Sequence, residues 1–258
     1  MKISLDLTKS VEQNAEVYYE KAKKSKKKLE GAEKALLFSK DKLQKIEQSQ
    51  VKKQEKIKRE YKEKRKKQWF EKFRWFYTSE GFHVIAGRDA TTNEIVVKKH
   101  TDKHDIVFHT ELPSSPFAIL KTDGKKPGKI SLEETAQFVA CYSKAWKSGR
   151  GLADVFYVNP DQVSKTPLSG EYIAKGSFMI YGKKNFISSE LKLFIGKMKD
   201  GKVMSGPESA VKKYCKEYVE IIQGKEKTSA MAKKIRAKLK IDDLDDIIRV
   251  IPVGSKLR

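Results

Sequence analysis

From Glu12 to Ser79 the chain has no proline and a single glycine, Gly31, in a run dominated by Lys, Glu, Ala and Leu. So long a stretch without helix breakers points to extended helix, and its apolar spacing says of what kind. Apolar or small residues fall at Tyr18, Ala22, Ser25, Leu29, Ala32, Leu36, Ser39, Leu43 and Ile46. Gaps alternating four and three make the seam of a coiled coil. The seam fades after Ile46, and "QSQ" at 48–50 predicts a tip, with two antiparallel helical arms turning near residues 47–53. One helix whose partner arm lies on another chain or segment fits the same seam. Gly31 costs about 1 kcal/mol relative to Ala in either arrangement.

Charge narrows the class of partner. Lys plus Arg number 56 and Asp plus Glu 34, so the formal net charge is 56 − 34 = +22. Self-repulsion on that scale is commonly offset by a polyanion. Residues 51–74 hold twelve bases against four Glu, a net +8. The acids are too few to neutralise them in i,i+4 pairs. Lys58, Arg59, Lys62, Arg65 and Lys66 are therefore candidates for a basic arm on nucleic acid, with a solvated charged face as the alternative. The run closes in "WFEKFRWFY" at 69–77, which predicts a helix end anchored on a globular core; stacking on bases is the other use of such rings. No apolar run is long enough to span a bilayer and no signal segment opens the chain, so a cytoplasmic protein without membrane contact is expected. Cys141 and Cys215 lie far apart, outside any CxxC pairing, and are expected to be reduced structural thiols.

Residues 78–186 carry the globular signals. Strands are predicted at "FHVIAG" (82–87), "DIVFHT" (105–110), "FAILKT" (117–122), "ADVFYV" (153–158) and "SFMIYG" (177–182). Between the third and fourth, Ser131 with Glu134 reads as a capping box ahead of an apolar stripe through Leu132, Ala136, Val139, Ser143 and Trp146. The expected fold is an α/β (α+β) head whose central β-sheet is covered by helices, preceded by a helical coiled-coil arm over 1–77. A small β-α-β-α appendix follows over 187–258: strand "LKLFIGKM", turn "GKVMSGP", a helix from Pro207 to Tyr214, strand "YVEIIQG", basic amphipathic helix "TSAMAKKIRAKL" and an acidic-capped final turn in "DDLDDIIRVI".

One stretch is ambiguous by composition. "GRDATTNEIVVKKH" at 87–100 has the β-branched residues of a strand but a cap signal in Thr91 and Glu94. A cap contributes about 1 kcal/mol, against a few tenths lost per β-branched residue, which favours a short helix. Its first N–H groups beside Arg88 would suit a phosphate. Asp89 and Glu94 oppose an anion there, and orienting Arg88 or accepting from a base edge is the other use for them.

Enzyme signatures are weak. "GKKPGKIS" at 124–131 has its glycines one residue too close for a P-loop and Ile130 in place of Ser or Thr. His100, His104 and His109 have no accompanying Cys or HExxH pattern, so neither a metal nor another cofactor is expected. No nucleophile elbow is present, and His109 is expected to be a satisfied strand-end histidine rather than a catalyst. Two loops suit nucleic-acid backbone. "ELPSSPF" (111–117) offers Ser114 and Ser115 between prolines, and residues 159–186 set Lys165, Ser169, Gly170, Lys175, Lys183 and Lys184 among rigid turns.

At these residues the chain resembles a known family. "WFEKFRWFYTSEGFHVIAGRDATTNEIVVKKH", "DIVFHTELPSSPFAILK", "AQFVACYSKAW" and "VSKTPLSGEYIAKGSFMIYGKKNF" are similar to the RNA-binding NFACT-R domain of the RqcH/NEMF ribosome quality control family. "SLDLTKSVEQNAEVYYEKAKKSKKKLE" resembles the segment leading into that family's middle coiled coil, so the likeness covers about residues 4–186. Arg88-Asp89, Asn93-Glu94, His109 and Ser164-Lys165 stand in the family pattern. "PSSPF" departs from it: bacterial members read more like PGSHV, and that Gly and His are absent here. The C-terminal appendix looks like the archaeal type.

The resemblance implies binding to a stalled large ribosomal subunit carrying peptidyl-tRNA, with tRNA and rRNA as partners. It also implies a template-free tail extension by full-length members. The family's NFACT-N and helix-hairpin-helix parts are not in this sequence, so binding without tail synthesis is expected, with NFACT-N supplied by a longer polypeptide or a separate chain. The expected RNA-binding residues are Arg88, Asp89, Asn93, Glu94, His109, Ser114, Lys121, Lys165, Lys183 and Lys184. Two rival expectations stand beside this one: a nucleic-acid or nucleotide enzyme in which Arg88, Asp89, Glu94 and His109 converge, and an adaptor that docks a protein at the coiled-coil tip.

Overall fold

The computed structural model describes residues 3–62, 67–166 and 172–258, with backbone alone over 48–62. It divides into two units, residues 1–66 and 67–258. The first is a single helix, α1 (Val11–Lys62). Ser10 and Gln13 cap its start reciprocally, at 3.2 and 3.0 Å, and Tyr18 hydrogen-bonds back to the Ser4 carbonyl at 2.6 Å. The turn expected near 47–53 is absent: α1 runs through those residues unbroken. Gln is a good helix former and nothing there breaks a helix, so polarity weakens the seam without bending the backbone. Leu29, Leu36, Leu43 and Ile46 are exposed.

The second unit holds two sheets on one core. The larger is fully antiparallel, in the order β1 (Arg74–Tyr77), β2 (His83–Ala86), β4 (Ala118–Lys121), β3 (Ile106–Thr110), β5 (Leu152–Val158), β8 (Asn185–Glu190). A two-stranded ribbon, β6 (Val163–Ser164) with β7 (Met179–Ile180), stands beside it. The smaller sheet runs β10 (Val203–Gly206), β9 (Leu193–Met198), β11 (Cys215–Gln223), β12 (Ser255–Leu257). Helix α2 (Ala90–Lys99) packs on β2 and β4; α3 (Lys129–Cys141) crosses β3, β5 and β8, and α4 (Lys144–Lys147) follows it. In the C-terminal part α5 (Glu208–Tyr214), α6 (Thr228–Leu239) and α7 (Leu244–Val250) lie on the second sheet.

The sheets are joined through α3 and α4. Phe76 of β1 meets Phe138 of α3 at 4.6 Å, and Gly206 of β10 leaves room for the Phe76 ring. The Tyr142 hydroxyl reaches Ser205 at 2.8 Å and the Val250 carbonyl at 2.5 Å, and the Trp146 indole N–H donates to Ser255 at 3.0 Å. The division expected at 186/187 falls inside β8, which pairs with β5 out to Glu190.

Several local expectations change. "WFEKFRWFY" is not a helix end but a 3-10 turn (Trp69–Lys72) and strand β1. Trp75 packs against Phe70, Tyr77 and His83 while Phe76 packs on α3, so both strand faces are buried. A strand buried on both faces reads as a continuous apolar run, which periodicity cannot tell from a helix. Ser131 and Glu134 do not cap α3, which begins after Gly128. Buried instead, Ser131 donates to Thr78 at 3.0 Å and Glu134 accepts the Ser79 N–H at 2.7 Å, tying α3 to the β1–β2 turn. Residues expected to form only a turn in "GKVMSGP" include strand β10. Of "SFMIYG", only Met179 and Ile180 are strand.

Candidate nucleic-acid interface

Segments distant in the chain meet at one cleft of about 720 Å³. Arg74 enters it from β1, Arg88 and Asp89 from the β2–α2 turn, His109 from β3, Ser114 from the loop before β4, Tyr142 from the end of α3, Phe156 from β5, and Lys175 to Phe178 from the segment before β7. A smaller cavity of about 280 Å³ shares Arg74, Ser114 and Tyr142 with it and adds Lys144 and Lys147.

The β2–α2 turn is shaped by Gly87 and Asp89. A Cβ on Gly87 would lie 1.9 Å from Asn93 Oδ1, so only glycine lets the first turn of α2 pack there. Asp89 Oδ1 accepts the Thr92 N–H at 2.8 Å while Thr92 Oγ1 accepts the Asp89 N–H at 2.9 Å. The stretch is therefore a helix, as its cap signal predicts, but the cap is Asp89 rather than Thr91. Aspartate is the stronger cap, and its carboxylate occupies the helix start that a phosphate was expected to use. Asn93 is buried; its Oδ1 accepts the Phe117 N–H at 3.1 Å and so fixes the loop carrying Ser114. Ser114 itself has φ +66, a left-handed residue between prolines.

Two guanidinium groups dominate the electrostatics. Arg74 donates to the Gly87 carbonyl at 2.8 Å and lies over the Tyr142 ring, 4.5 Å from its centroid. Its Nε is buried and finds no partner among the described residues. Burial, then the neighbouring Arg88 charge, depress the Arg74 pKa; burial and Arg249 do the same to Arg88. Tyr142, buried beneath them, is pushed up to about 12 and stays neutral. Mutually repelling, desolvated cations at a cleft are poised for an anion.

The other expected residues separate into three groups. His109 lines the cleft with its Nε2–H donating to the Ser115 carbonyl at 3.2 Å and its ring stacked on Phe117 at 4.0 Å. Burial lowers its pKa to about 4. Lys184 also lines the cleft, paired with Glu111 at 3.0 Å and set 4.7 Å over the Phe156 ring. Glu94 and Lys165 stand behind the wall as an ion pair at 2.9 Å, and Glu94 accepts the Gly176 N–H at 3.1 Å. Lys183 is exposed outside the cleft. Lys121 lies elsewhere, bound to Asp102 and to Asp105 at 2.5 Å; burial opposes its charge, but those hydrogen bonds outweigh it and raise its pKa. Lys58, Arg59 and Lys62 lie on α1 with side chains outside the described residues, as Arg65 and Lys66 do entirely.

Of Arg88, Asp89, Glu94 and His109, the first two and His109 line the cleft and Glu94 does not. Asp89 is a helix cap, Glu94 is held by Lys165, and His109 is tied to a carbonyl. Among the described residues no group of His, Cys, Asp or Glu has the makings of a metal site, and no helix is long and apolar enough to cross a membrane. Cys141 and Cys215 are buried free thiols. Sequence reasoning singled out neither Arg74 nor Tyr142 as a site residue, although both lie in stretches that carry the family likeness; only tertiary packing shows that they meet at the cleft.

Comparison with known proteins decides the family. Residues 72–182 match the NFACT protein RNA binding domain. Over 182 residues the chain is 40% identical to the archaeal Rqc2 homolog aRqcH of Methanocaldococcus jannaschii, covering 68% of this chain and 27% of that protein. The chain belongs to the RqcH/NEMF family, in its archaeal type. Within the RqcH/NEMF family it is also 39% identical to the ribosome quality control complex subunit NEMF homolog of Drosophila melanogaster, over 72% of this chain and 19% of the fly protein. Identity to human ribosome quality control complex subunit NEMF is 38%, over 67% of this chain and 16% of the human one. The chain therefore spans about a quarter of the archaeal relative and less than a fifth of the animal ones. A solved C-terminal portion of the fibronectin/fibrinogen-binding protein from Streptococcus suis is similar at 20% identity and a TM-score of 0.40, covering 50% of this chain and 49% of that one, too slight a likeness to bear on fold or function. The NFACT-R match contains every cleft residue named above except Lys184.

Proposed function

We propose that this chain is an RNA-gripping part of a cytoplasmic ribosome quality control protein, binding tRNA and the rRNA of a large ribosomal subunit that still carries peptidyl-tRNA. One observation carries the reading: Arg74, Arg88, Lys175 and Lys184 line a single cleft within or beside the matched RNA-binding domain. Such a cleft favours phosphates, while the bases must be read by shape or stacking. The helical unit adds charge without specificity, with 21 Lys and Arg against 11 Asp and Glu over residues 1–66, a net 21 − 11 = +10. The role is binding, not catalysis.

Sedimentation with purified large subunits, with and without bound peptidyl-tRNA, tests this. The chain is expected in the subunit pellet at 50 mM salt, and more of it when peptidyl-tRNA is present. If six to ten phosphates are engaged, affinity falls by about 10³–10⁵ between 50 and 200 mM salt. Absence from the pellet, or a salt-insensitive pellet, contradicts the reading. The exposed Leu29, Leu36 and Leu43 of α1 favour a second role, docking a protein partner along the arm. Deleting residues 20–66 is then expected to abolish partner capture and leave affinity for short RNA nearly intact.

A further inference from the structure

The cleft has a cationic end and an aromatic end. At the first, Arg74 rests on Tyr142 with its buried Nε–H unpartnered among the described residues, and Arg88 beside it forms no ion pair among them. Asp89, next in the chain to Arg88, is already engaged by the Thr92 N–H. At the second, His109 lies face to face with Phe117, which meets Phe178 edge-on at 5.1 Å. Phe117 is buried, and Phe178 is the partly exposed ring that borders the opening. Four cations against Asp89 and Glu111 leave the lining at 4 − 2 = +2.

The walls are fixed before any ligand arrives. Gly176 has φ +79, and a Cβ there would fall 2.4 Å from the Ala90 Cα, so the aromatic wall is seated directly on the start of α2. Glu94 holds the Gly176 N–H and Lys165 at once. A preformed site avoids the ordering cost of binding. Its volume, about 720 Å³, suits a small ligand rather than a helix. A duplex keeps its bases stacked inside, whereas a charged end and a ring-lined end in one cleft match a phosphate and the base attached to it.

We propose that the cleft captures one unstacked nucleotide of RNA, its phosphate on Arg74 and Arg88 and its base against Phe178 and the rings behind it. This rests on the RNA binding proposed above and specifies its form, an unpaired nucleotide in a bulge, loop or end.

The test is fluorescence anisotropy at 50 mM salt, using the full chain and three hairpin RNAs: one with a single-adenosine bulge, one with an abasic residue in its place, and one with a flush stem. The bulged RNA is expected to bind about tenfold or more tighter than the other two, the size of one base–aromatic stack. Phe178→Ala is expected to erase that preference, bringing bulged-RNA affinity down to that of the other two. Phe178→Leu, which keeps an apolar side chain in the wall, is expected to do the same and serves if the alanine variant fails to fold. Equal wild-type affinity for all three RNAs overturns nucleotide capture while leaving RNA binding standing. A preference that survives both variants overturns the placement of the base, and no binding to any of the three overturns both proposals.

Discussion

Lys165 Nζ stands 2.9 Å from Glu94 Oε1, and the same oxygen accepts the Gly176 N–H at 3.1 Å. One carboxylate on α2 thus fastens the end of the β6 ribbon and the turn that walls the cleft. The Lys165 hydrogen bond first, and the Gly176 N–H next, hold the Glu94 pKa down to about 2 from 4.5. A carboxylate depressed in the fold stabilises it above the unfolded pKa and loses that contribution as pH falls through the folded one. Glu94→Gln keeps the shape and removes the charge. Its melting temperature is expected below wild type at pH 6, the gap narrowing as pH falls from 4.5 toward 2. A gap that stays constant over that range would assign the effect to packing instead.

His109 has the opposite charge logic. Burial lowers its pKa from 6.5 to about 4, and His83, whose Nε2 is buried with no partner among the described residues, is lowered to about 4 for the same reason. Both are neutral in the fold and take up a proton on unfolding, so they cost stability as pH drops from 6.5 toward 4 and nothing above 6.5. Proton NMR of the imidazole resonances is expected to place both midpoints near 4, and RNA affinity is expected to be flat between pH 6 and 8. A His109 midpoint near 6.5 would mean that the ring is solvated and free to contact a phosphate as a cation.

Gly87 is required by approach rather than by φ. Gly87→Ala sets a methyl 1.9 Å from Asn93 Oδ1 and 2.7 Å from its backbone nitrogen. Overpacking of this kind costs roughly 1–3 kcal/mol. Urea unfolding is expected to show that loss, and faster amide exchange at Phe117, whose N–H is held by Asn93. Wild-type stability in the variant would mean that α2 does not sit on the turn as described.

Gly31 offers the reverse case. A Cβ there meets nothing within 4 Å, and the residue lies inside α1. Gly31→Ala is expected to stabilise the helix by about 0.8–1 kcal/mol, seen as higher ellipticity at 222 nm and a later helix melt. No change, or a loss, would place a packed neighbour at that position.

What the sequence told, and what it withheld, follows from the range of the interactions involved. Local signals were reliable in kind: a cap signal outweighed the β-branched residues of α2, although the cap is Asp89, and short apolar, β-branched runs marked β2 to β5. They failed where two structures share one pattern. The polar "QSQ" was no stop signal, since polarity does not end a helix that lacks Gly or Pro. Trp75 and Phe76 hid strand β1 because both faces are buried, and Ser131 with Glu134 mimicked a cap while bonding to the β1–β2 turn. Of the cleft, Arg88, His109, Ser114 and Lys184 stood in legible loops and strand ends. Arg74 over Tyr142 did not, because that contact exists only once β1 and the end of α3 are packed together.

Arg88→Ala bears most directly on the claim that the cleft cations grip RNA. Arg88 is flanked by the like charges of Arg74 and Arg249, so its removal is expected to leave the melting temperature unchanged or slightly higher. The measurement is the slope of log affinity against log salt for single-stranded RNA, wild type beside Arg88→Ala. Loss of one phosphate contact is expected to make the slope shallower by about 0.7 and to weaken binding at 50 mM salt roughly tenfold or more. Superimposable lines for the two proteins, with both fully folded, would contradict it.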